Sequence, residues 1–425
     1  MHLLLRNCHI ISPAENINGR FDILIMNGII NHMGVTWQHV REVIQYDLQG
    51  KIIVPGLFDM HVHFREPGQT HKEDIPSGAF AAAYGGVTGV LCMPNTTPPI
   101  DNGEVIKSNA AKSNGNIVDV YTSACATVGR AGERLSSIKS LHEAGALAIT
   151  DDGSPIAGDE MMRDVLTAAA EFNLPVIQHC EIMSVTDGGI INEGVISRKL
   201  GVKGIPSSSE YKIIERDIAL TKQIKGARYH VQHISTKEAV RLVRQAKADG
   251  VKVTAEVCPH HFTLTDEAIL EYGTNAKMNP PLRTKEDVEE ILAGIKDGTI
   301  DAICTDHAPH SEDEKKLPLD KAPFGIVGLE TSVGLTYTNL VEKGIISLDE
   351  MVMKMSVNPR RILGLPDIKI TEGEKANLTI LDLKEEWVVD SSKFHSKSKN
   401  TPYNGWKLKG KAVGIVNNYK HMINI

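Results

Sequence analysis

Six histidine and aspartate side chains follow short apolar segments, at the points where those segments end. They are His61, His63, Asp152, His179, His233 and Asp306. Imidazole nitrogens and carboxylate oxygens are the ligands that catalytic Zn²⁺ takes in open coordination sites. In a strand, residues i and i+2 point to the same face, so His61 and His63 can reach one ion together. The set predicts a metal-dependent active site.

Each part of this pattern also has an ordinary structural explanation. A lone His-x-His pair is usually incidental, a histidine at a strand end is commonly hydrogen bonded in the core, and two aspartates before a glycine are typical of a turn. Composition alone does not separate Asp151 from Asp152 as the ligand. Six such groups at one end of several strands would nevertheless be costly to bury unless a cation lay among them.

A strand-then-helix rhythm in the middle of the chain can bring these residues together. Candidate strands begin near Leu57, Gly86, Ile117, Gly145, Leu174, Ala227, Val251 and Ile300. Helical patterns such as Met161–Glu171 and Lys237–Ala248 lie between them. Eight units over roughly 250 residues predict an α/β fold of the (β/α)8 TIM-barrel type, whose strand ends meet at one mouth. An open doubly wound sheet is the alternative, but no glycine-rich phosphate loop follows the first strand.

Both ends of the chain are rich in β-forming residues. The segments are Leu3–Ile11, Phe21–Met26 and Lys51–Val54 at one end, and Ala376–Asp382, Trp387–Val389 and Lys411–Val416 at the other. Turn residues separate them, as expected of short strands. We therefore expect residues 1–55 and 366–425 to form one small β-sandwich, beside a metal-dependent barrel domain spanning residues 56–365.

Composition excludes several classes of function. The 425 residues contain 46 Lys and Arg against 53 Asp and Glu, which gives a net charge of −7. The sequence contains no long run of charged residues of one sign. This argues against nucleic-acid and membrane-surface binding. No apolar run of ~20 residues or basic leader is found. Six widely spaced cysteines without a Cys-x-x-Cys pair predict buried thiols in a reducing cytoplasm.

Several motifs resemble those of the bacterial class I dihydroorotases, within the amidohydrolase superfamily. They are His61-Val62-His63-Phe64-Arg65-Glu66-Pro67-Gly68, Met93-Pro94-Asn95-Thr96, Thr150-Asp151-Asp152-Gly153, Thr305-Asp306-His307-Ala308-Pro309-His310 and Asn400-Thr401-Pro402-Tyr403-Asn404-Gly405. The resemblance runs along nearly the whole chain. It implies the same barrel and sandwich, and the reversible cyclisation of N-carbamoyl-L-aspartate to L-dihydroorotate plus water, the third step of de novo pyrimidine synthesis.

The resemblance also implies a cofactor, two zinc ions per subunit. It assigns His61, His63 and Asp306 to the first ion, His179 and His233 to the second, and Asp152 to both. A zinc-bound hydroxide would attack the ring amide, with Asp306 moving the proton. Many superfamily relatives bridge their metals with a carboxylated lysine, but Gly145–Gly153 contains no lysine. This departure favours a dihydroorotase over the alternative cyclic amidases, hydantoinase and allantoinase.

Arg65 lies two residues beyond His63 and would share its face if the strand continued. A guanidinium there suits a substrate carboxylate. The resemblance implies the substrate contacts His63, Arg65, Asn95, Asn279, His310, Phe324 and Gly325. In that set Arg65 and Asn95 bind the carboxylate with help from His310, while Asn279 and the Phe324-Gly325 backbone surround the ring. Asn279 also precedes two prolines and could simply be a turn residue, and His230 and His307 are expected to support the site.

Residues 307–323 form a long polar stretch. A charge run is usually a solvated loop, but structureless loops beyond ~12–15 residues are uncommon in compact domains unless they are functional. We therefore expect a flap over the ligand. The resemblance further implies a homodimer and a partnership with aspartate transcarbamoylase. The alternative is a non-catalytic dihydroorotase-like subunit, although such a homologue would be expected to have lost metal ligands.

Overall fold

The structure is a computed structural model that describes residues 1–34 and 43–425. Its strands are β1 His2–Ser12, β2 Ile17–Met26, β3 Ile29–Gly34, β4 Ile44–Asp47, β5 Ile52–Pro55, β6 Leu57–Val62, β7 Val87–Cys92, β8 Asp119–Thr122, β9 Val176–Gln178, β10 Ile191–Asn192, β11 Gly204–Ile205, β12 Tyr229–Val231, β13 Val253–Val257, β14 Ala302–Ile303, β15 Leu378–Val388, β16 Lys407–Asn417 and β17 Lys420–Ile423.

Helices separate most of the middle strands. They are α1 Ile75–Tyr84, α2 Gly103–Ser113, α3 Ile138–Glu143, α4 Asp159–Glu171, α5 Met183–Thr186, α6 Val195–Leu200, α7 Ser208–Gln223, α8 Lys237–Ala248, α9 Pro259–Thr263, α10 Ile269–Tyr272, α11 Lys285–Lys296, α12 Glu312–Lys315, α13 Ser332–Thr336, α14 Leu348–Val352 and α15 Asn358–Ile362. The two helices predicted from periodicity are present as α4 and α8. The mixed α/β class predicted from the sequence is confirmed.

The middle strands pair in parallel, and their pairings form a continuous succession. One sheet has the order β6-β7-β8 and another has the order β14-β13-β12-β9. Single bridges from Ile149 to Ala124 and to Val176 join the two sheets, and a bridge from Val62 to His307 joins their other ends. Every residue of β6 and β7 is buried, as expected of parallel strands covered on both faces.

The fourth predicted strand, placed near Gly145, is the exception. Only Ile149 forms bridges there; its N–H donates to Pro175 O at 3.1 Å and its carbonyl accepts from Ile177 N at 2.9 Å. The chain turns immediately afterwards, where Ser154 N donates to Asp151 O at 2.7 Å. The extended segment is therefore too short for a regular strand, although its pairing is the one expected of a strand.

The two ends of the chain share one sheet, with the order β17-β16-β15-β5-β1-β2-β3 and β4 paired with β1. The antiparallel pair β5 and β15 joins the two ends, with Pro55 opposite Leu378 and Ile52 opposite Leu381. The tail segments predicted as two strands are the single strand β15, interrupted by a register shift between Asp382 and Glu386. In the described part of the chain, none of the helices has the length and apolar character needed to cross a membrane.

Candidate active site

The structure brings all six predicted ligands together where the parallel strands end. His63 Nε2 lies 2.9 Å from Asp306 Oδ1, and His61 Nε2 lies 3.4 Å from the same oxygen. Asp152 Oδ1 is 3.6 Å from His61 Nε2 and 3.9 Å from His179 Nδ1. His233 completes the cluster, because its Nε2 lies 3.0 Å from His179 Nδ1. All six side chains are buried.

The ligand atoms fall into three overlapping groups whose members lie within 4.8 Å of one another. The groups are His61, His63 and Asp152; Asp152, His179 and His233; and His61, His233 and Asp306. Asp152 belongs to the first two groups, so one carboxylate lies between two sets of imidazoles. This is the arrangement that a bridging ligand requires.

The chemistry of the donor set fits a cation. His61 is fully buried, and its Nε2, which faces the two acids, has no hydrogen-bond partner among the described residues. Burial disfavours the charged imidazole, but the carboxylates of Asp306 and Glu256 outweigh it and raise the pKa of His61 well above its usual value. For His233, burial and then the neighbouring His179 lower the pKa well below its usual value. The same carboxylate field that favours a proton on His61 favours a metal cation in its place, and the neutral imidazole of His233 offers such a cation a free nitrogen.

Asp152, rather than Asp151, occupies the centre of the cluster. Burial opposes its ionisation, but the surrounding imidazoles of His61 and His63 hold the pKa of Asp152 well below its usual range. Asp151 faces away from the histidines and accepts hydrogen bonds from the backbone and hydroxyl of Thr127, the former at 3.1 Å. Composition alone does not separate Asp151 from Asp152 as the ligand. The turn that follows Ile149 places Asp152, and not Asp151, among the histidines.

Asn95 and Asn279 hold the cluster from two sides. Asn95 Oδ1 lies 2.8 Å from His63 Nδ1, and its Nδ2 donates to Asp152 Oδ2 at 2.9 Å. With Nδ1 hydrogen bonded to an acceptor, His63 directs Nε2 to Asp306. Asn279 Nδ2 donates to Glu181 Oε2 at 2.9 Å, and the same oxygen lies 3.1 Å from His179 Nε2. That contact leaves Nδ1 of His179 to face the centre.

Sequence reasoning missed Glu181 and Glu256, which orient the histidines. Glu256 is fully buried on β13; its Oε1 lies 2.6 Å from His61 Nδ1 and its Oε2 lies 3.2 Å from His230 Nε2. A second carboxylate that fixes the tautomer of a ligand histidine is a regular feature of metal sites. The available indication was one acid inside the apolar strand Val253–Val257. His230 and His307 lie outside the cluster, in contact with Glu256 and Glu73 respectively, which agrees with a supporting position.

A cavity of about 320 Å³ lies beside the cluster. The predicted site residues that line it are His63, Arg65, Asn95, Asp152, His179, His233, Asn279, Asp306, His310, Phe324 and Gly325. Only His61, among the predicted set, is absent from the lining. The volume suits a small cyclic molecule.

Arg65 reaches this cavity by a route that strand alternation does not describe. Strand β6 ends at Val62, and Arg65 has a left-handed backbone with φ of +57°. Its Nε donates to Pro309 O at 3.2 Å, and its Nη2 lies 3.2 Å from His310 Nε2. Although only 9% of Arg65 is exposed, it forms no ion pair within 4.0 Å among residues 1–34 and 43–425. A buried guanidinium without an acid is a site for an anion.

The polar stretch 307–323 is more ordered than its composition suggests. It contains helix α12, which begins after Ser311, whose hydroxyl accepts from Glu314 N. Lys315, within the charge run, is buried rather than solvated. The usual behaviour of a charge run, a solvated loop, does not hold for this lysine, because the backbone of the segment folds around it. Its behaviour as a flap stays a prediction.

This chain is similar in sequence to known proteins over nearly its whole length. The family described as Dihydro-orotase-like matches residues 50–239. The dihydroorotase of Acetivibrio thermocellus is 47% identical over 410 residues, covering 96% of this chain and 96% of that protein. The dihydroorotase of Chlorobaculum tepidum is 46% identical over 436 residues and covers 99% of each.

Solved structures of two further enzymes share the fold. The L-hydantoinase (dihydropyrimidinase) from Arthrobacter aurescens superimposes with a TM-score of 0.88 at 25% identity, covering 100% of this chain and 96% of that one. The dihydropyrimidinase from Brevibacillus agri has a TM-score of 0.86 at 22% identity, with coverage of 100% and 95%. The second comparison concerns the fold alone.

Proposed function

This chain belongs to the dihydroorotase family, and we propose that it catalyses the reversible cyclisation of N-carbamoyl-L-aspartate to L-dihydroorotate plus water. The observation that carries the proposal is Arg65, a buried guanidinium with no carboxylate of the described residues within ion-pair distance, in the same cavity as the histidine and aspartate cluster. Dihydroorotate is a cyclic amide that carries a carboxylate. The cavity therefore offers one group for the amide chemistry and another for the charge.

We propose two zinc ions as the cofactor, bridged by Asp152. The proposed ligands are His61, His63 and Asp306 for one ion and His179 and His233 for the other. The membership of Asp152 in two of the ligand groups supports its bridging position, whereas Asp306 shares a group with His61 and His233. When bound, divalent cations lower the pKa of water toward neutrality and polarise a carbonyl oxygen. The protein then has to bind the substrate, orient it and move one proton.

We assign the proton transfer to Asp306. Its carboxylate lines the cavity, and Oδ1 lies between His63 Nε2 and His61 Nε2, at 2.9 and 3.4 Å. In ring opening, Asp306 accepts the proton from the attacking water and delivers it to the ring nitrogen that leaves. Ring closure runs the same transfers backwards. A general base has to lie within hydrogen-bond reach of the proton that it accepts, and the position of Asp306 on the cavity wall supports this role.

The substrate contacts follow the cavity wall. We propose that Arg65 and Asn95 bind the carboxylate with help from His310, whose Nε2 lies 3.2 Å from the guanidinium. Asn279 and the backbone of Phe324 and Gly325 would then surround the ring. These residues line the same cavity as Asp306, which supports a pose with the amide near Asp306 and the carboxylate near Arg65.

The domain organisation is also proposed. A closed (β/α)8 barrel over residues 56–365 is supported by the parallel succession that leads from β6 through β14 back to Val62. A small β-sandwich built from residues 1–55 and 366–425 is supported by the sheet that both ends share. Part of the second range lies against the site, because Asn400 Nδ2 donates to Gly325 O at 3.1 Å.

The resemblance is the basis for two further proposals, a homodimer and a partnership with aspartate transcarbamoylase, and the pattern of cysteines is the basis for a third, a cytoplasmic location. The six cysteines are buried free thiols, which supports a reducing compartment. Light scattering tests the dimer, and co-purification with the transcarbamoylase tests the partnership.

The proposed reaction is tested by comparing three cyclic amides: L-dihydroorotate, hydantoin and 5,6-dihydrouracil. We expect kcat/KM to favour dihydroorotate, and we expect chelation to abolish turnover and added Zn²⁺ to restore it. Faster turnover of hydantoin would indicate the other cyclic amidases, which the absence of lysine between Gly145 and Gly153 argues against. Metal binding without turnover of any substrate would indicate a non-catalytic subunit.

A further inference from the structure

We infer that Lys277 and Lys315 are positioning residues, whose buried ammonium groups hold the Phe324–Gly325 part of the cavity wall in its substrate-binding conformation. This inference rests on the proposed function, since it concerns the wall against which we place the substrate ring. Neither lysine lines the cavity beside the metal cluster. Both act through the backbone of residues 319–325.

Lys315 is the centre of one set of contacts. Only 7% of this residue is exposed, and its Nζ donates to Gly325 O at 2.9 Å and to Pro323 O at 3.0 Å. A third carbonyl, that of Lys277, lies at 3.5 Å. Two of the three contacts of this amino group are thus with backbone oxygens that flank Phe324, and the third is with the carbonyl of Lys277.

Lys277 holds the same segment from its other end. It is 3% exposed, and its Nζ donates to Ala322 O at 2.6 Å and to Leu319 O at 2.7 Å. The ammonium lies over the Phe324 ring, 4.5 Å from its centroid, at a distance where a cation attracts the ring face. The carbonyl of Lys277 in turn accepts from Gly325 N at 2.9 Å. One residue therefore fixes both the ring and the backbone.

The charge of the two lysines indicates that their contacts do more than fill space in the core. Within the described part of the chain, neither lysine forms an ion pair with an acid within 4.0 Å, and Glu314 pairs instead with Lys72 at 2.7 Å. Burial, followed by the proximity of Lys277, lowers the pKa of Lys315 to about 7. Burying two amino groups without acids is unfavourable, and an apolar residue of similar volume would fill the space at lower cost. What the ammonium groups add is the orientation of the carbonyls.

The backbone that the two lysines orient also contacts the residues that we propose to bind the substrate carboxylate. Phe324 O lies 2.8 Å from His310 Nε2, and the same nitrogen lies 3.2 Å from Arg65 Nη2. Gly325 has a φ of +121°, and a Cβ at this position would lie 2.5 Å from Ala308 Cβ, so the backbone approaches closely here. A shift of the 323–325 carbonyls would therefore displace both the wall that we place against the substrate ring and the side chain of His310.

The test uses Lys277→Met and Lys315→Met, which keep an unbranched side chain as far as Cε and remove Nζ with its charge. The matched control is Lys316→Met, the exposed neighbour that pairs with Glu312. We expect KM for L-dihydroorotate to rise about tenfold in each buried variant while kcat stays within threefold, and both constants of the control to stay within twofold of wild type. A KM within twofold of wild type in both folded variants would overturn the inference.

Amine rescue separates the ammonium from the packing. Lys315 also lines a neighbouring cavity of about 360 Å³, through which a small amine can enter. In Lys315→Ala, propylammonium should return KM toward the wild-type value, whereas 1-propanol, which is of similar size and neutral, should not. Equal rescue by both compounds, or by neither, would reduce Lys315 to a packing role and overturn its assignment.

Hydrogen exchange of the 318–326 peptide keeps the test independent of catalysis. We expect faster exchange in Lys277→Met and Lys315→Met than in wild type and in Lys316→Met; unchanged exchange would count against the inference. If one methionine variant does not fold, the other lysine provides the same test. Wild-type turnover of dihydroorotate decides the proposed function separately, so turnover in wild type with no effect in the variants would refute the positioning role alone.

Discussion

Replacing Arg65 with methionine removes the one cation that we place against the substrate carboxylate, while leaving the metal ligands in place. The guanidinium is 9% exposed, and its hydrogen-bond neighbours are the carbonyl of Pro309 and the ring of His310, both at 3.2 Å. The described residues place no acid within ion-pair distance of the guanidinium. A bound carboxylate would therefore be its only charged partner. The variant therefore isolates the charge recognition from the amide chemistry.

The size of the effect follows from this environment. Removing one member of a buried, hydrogen-bonded charge pair costs about 2–5 kcal/mol. Since Arg65 retains some exposure and its two neighbours stay in place, we expect the lower part of this range, about 2–3 kcal/mol. At about 1.4 kcal/mol per factor of ten, kcat/KM for L-dihydroorotate should fall roughly 30- to 150-fold.

The assay compares L-dihydroorotate with 5,6-dihydrouracil, which has the same ring without the carboxylate. In Arg65→Met, kcat/KM for dihydrouracil should stay within about threefold of wild type, so the preference for dihydroorotate should collapse. Arg65→Lys should give an intermediate loss, because lysine keeps the charge and lacks the planar fork. An equal fall for both substrates would refute the reasoning, since it would assign Arg65 to the support of Pro309 and His310 instead.

Three further predictions concern the other parts of the site. Asp306→Asn should lower kcat by about 10²–10⁴-fold, the usual contribution of a positioned acid–base group, and near-native turnover at equal metal content would exclude Asp306 as the proton carrier. Glu256→Gln should weaken metal binding about 10- to 100-fold in a chelator competition, because it loosens His61; unchanged affinity would contradict that role. Hydrogen exchange of residues 307–323 should slow when dihydroorotate binds, and equal exchange with and without ligand would count against a flap.

The strand-end residues could be predicted because they stand out locally. His61 and His179 each follow a short apolar run, and parallel strands bring such ends to one edge. The length of the fourth strand could not be predicted, because its single bridge at Ile149 depends on the turn at Asp151 as much as on the apolar run before it. A hydrophobic pattern indicates which residues are buried, and it does not indicate how long a strand is. Because Ile149 is as buried as a residue in a longer strand, its burial does not reveal the length of its own strand.

The residues that orient the ligands were harder to find. Glu256 contacts His61 across 195 residues of sequence, so no local pattern links the two. The direction of Arg65 followed from extending β6 to residue 65, whereas the strand ends at Val62 and a left-handed residue redirects the chain. The expected position was right although the geometric reason was wrong. Lys315 was missed because a charge run is normally solvated, and its burial depends on carbonyls of residues that follow it.

The sheet shared by both ends of the chain has a consequence for biosynthesis. Strand β5 pairs with β15, and Leu57 N donates to the Thr379 hydroxyl 322 residues away. During translation, β1 to β5 emerge early, and the edge of β5 that pairs with β15 lacks its partner until β15 has left the ribosome. Contacts of such long sequence separation slow folding and leave β edges open to wrong pairing. The exposed edge of β5 is thus a site on the nascent chain where a chaperone would prevent wrong pairing.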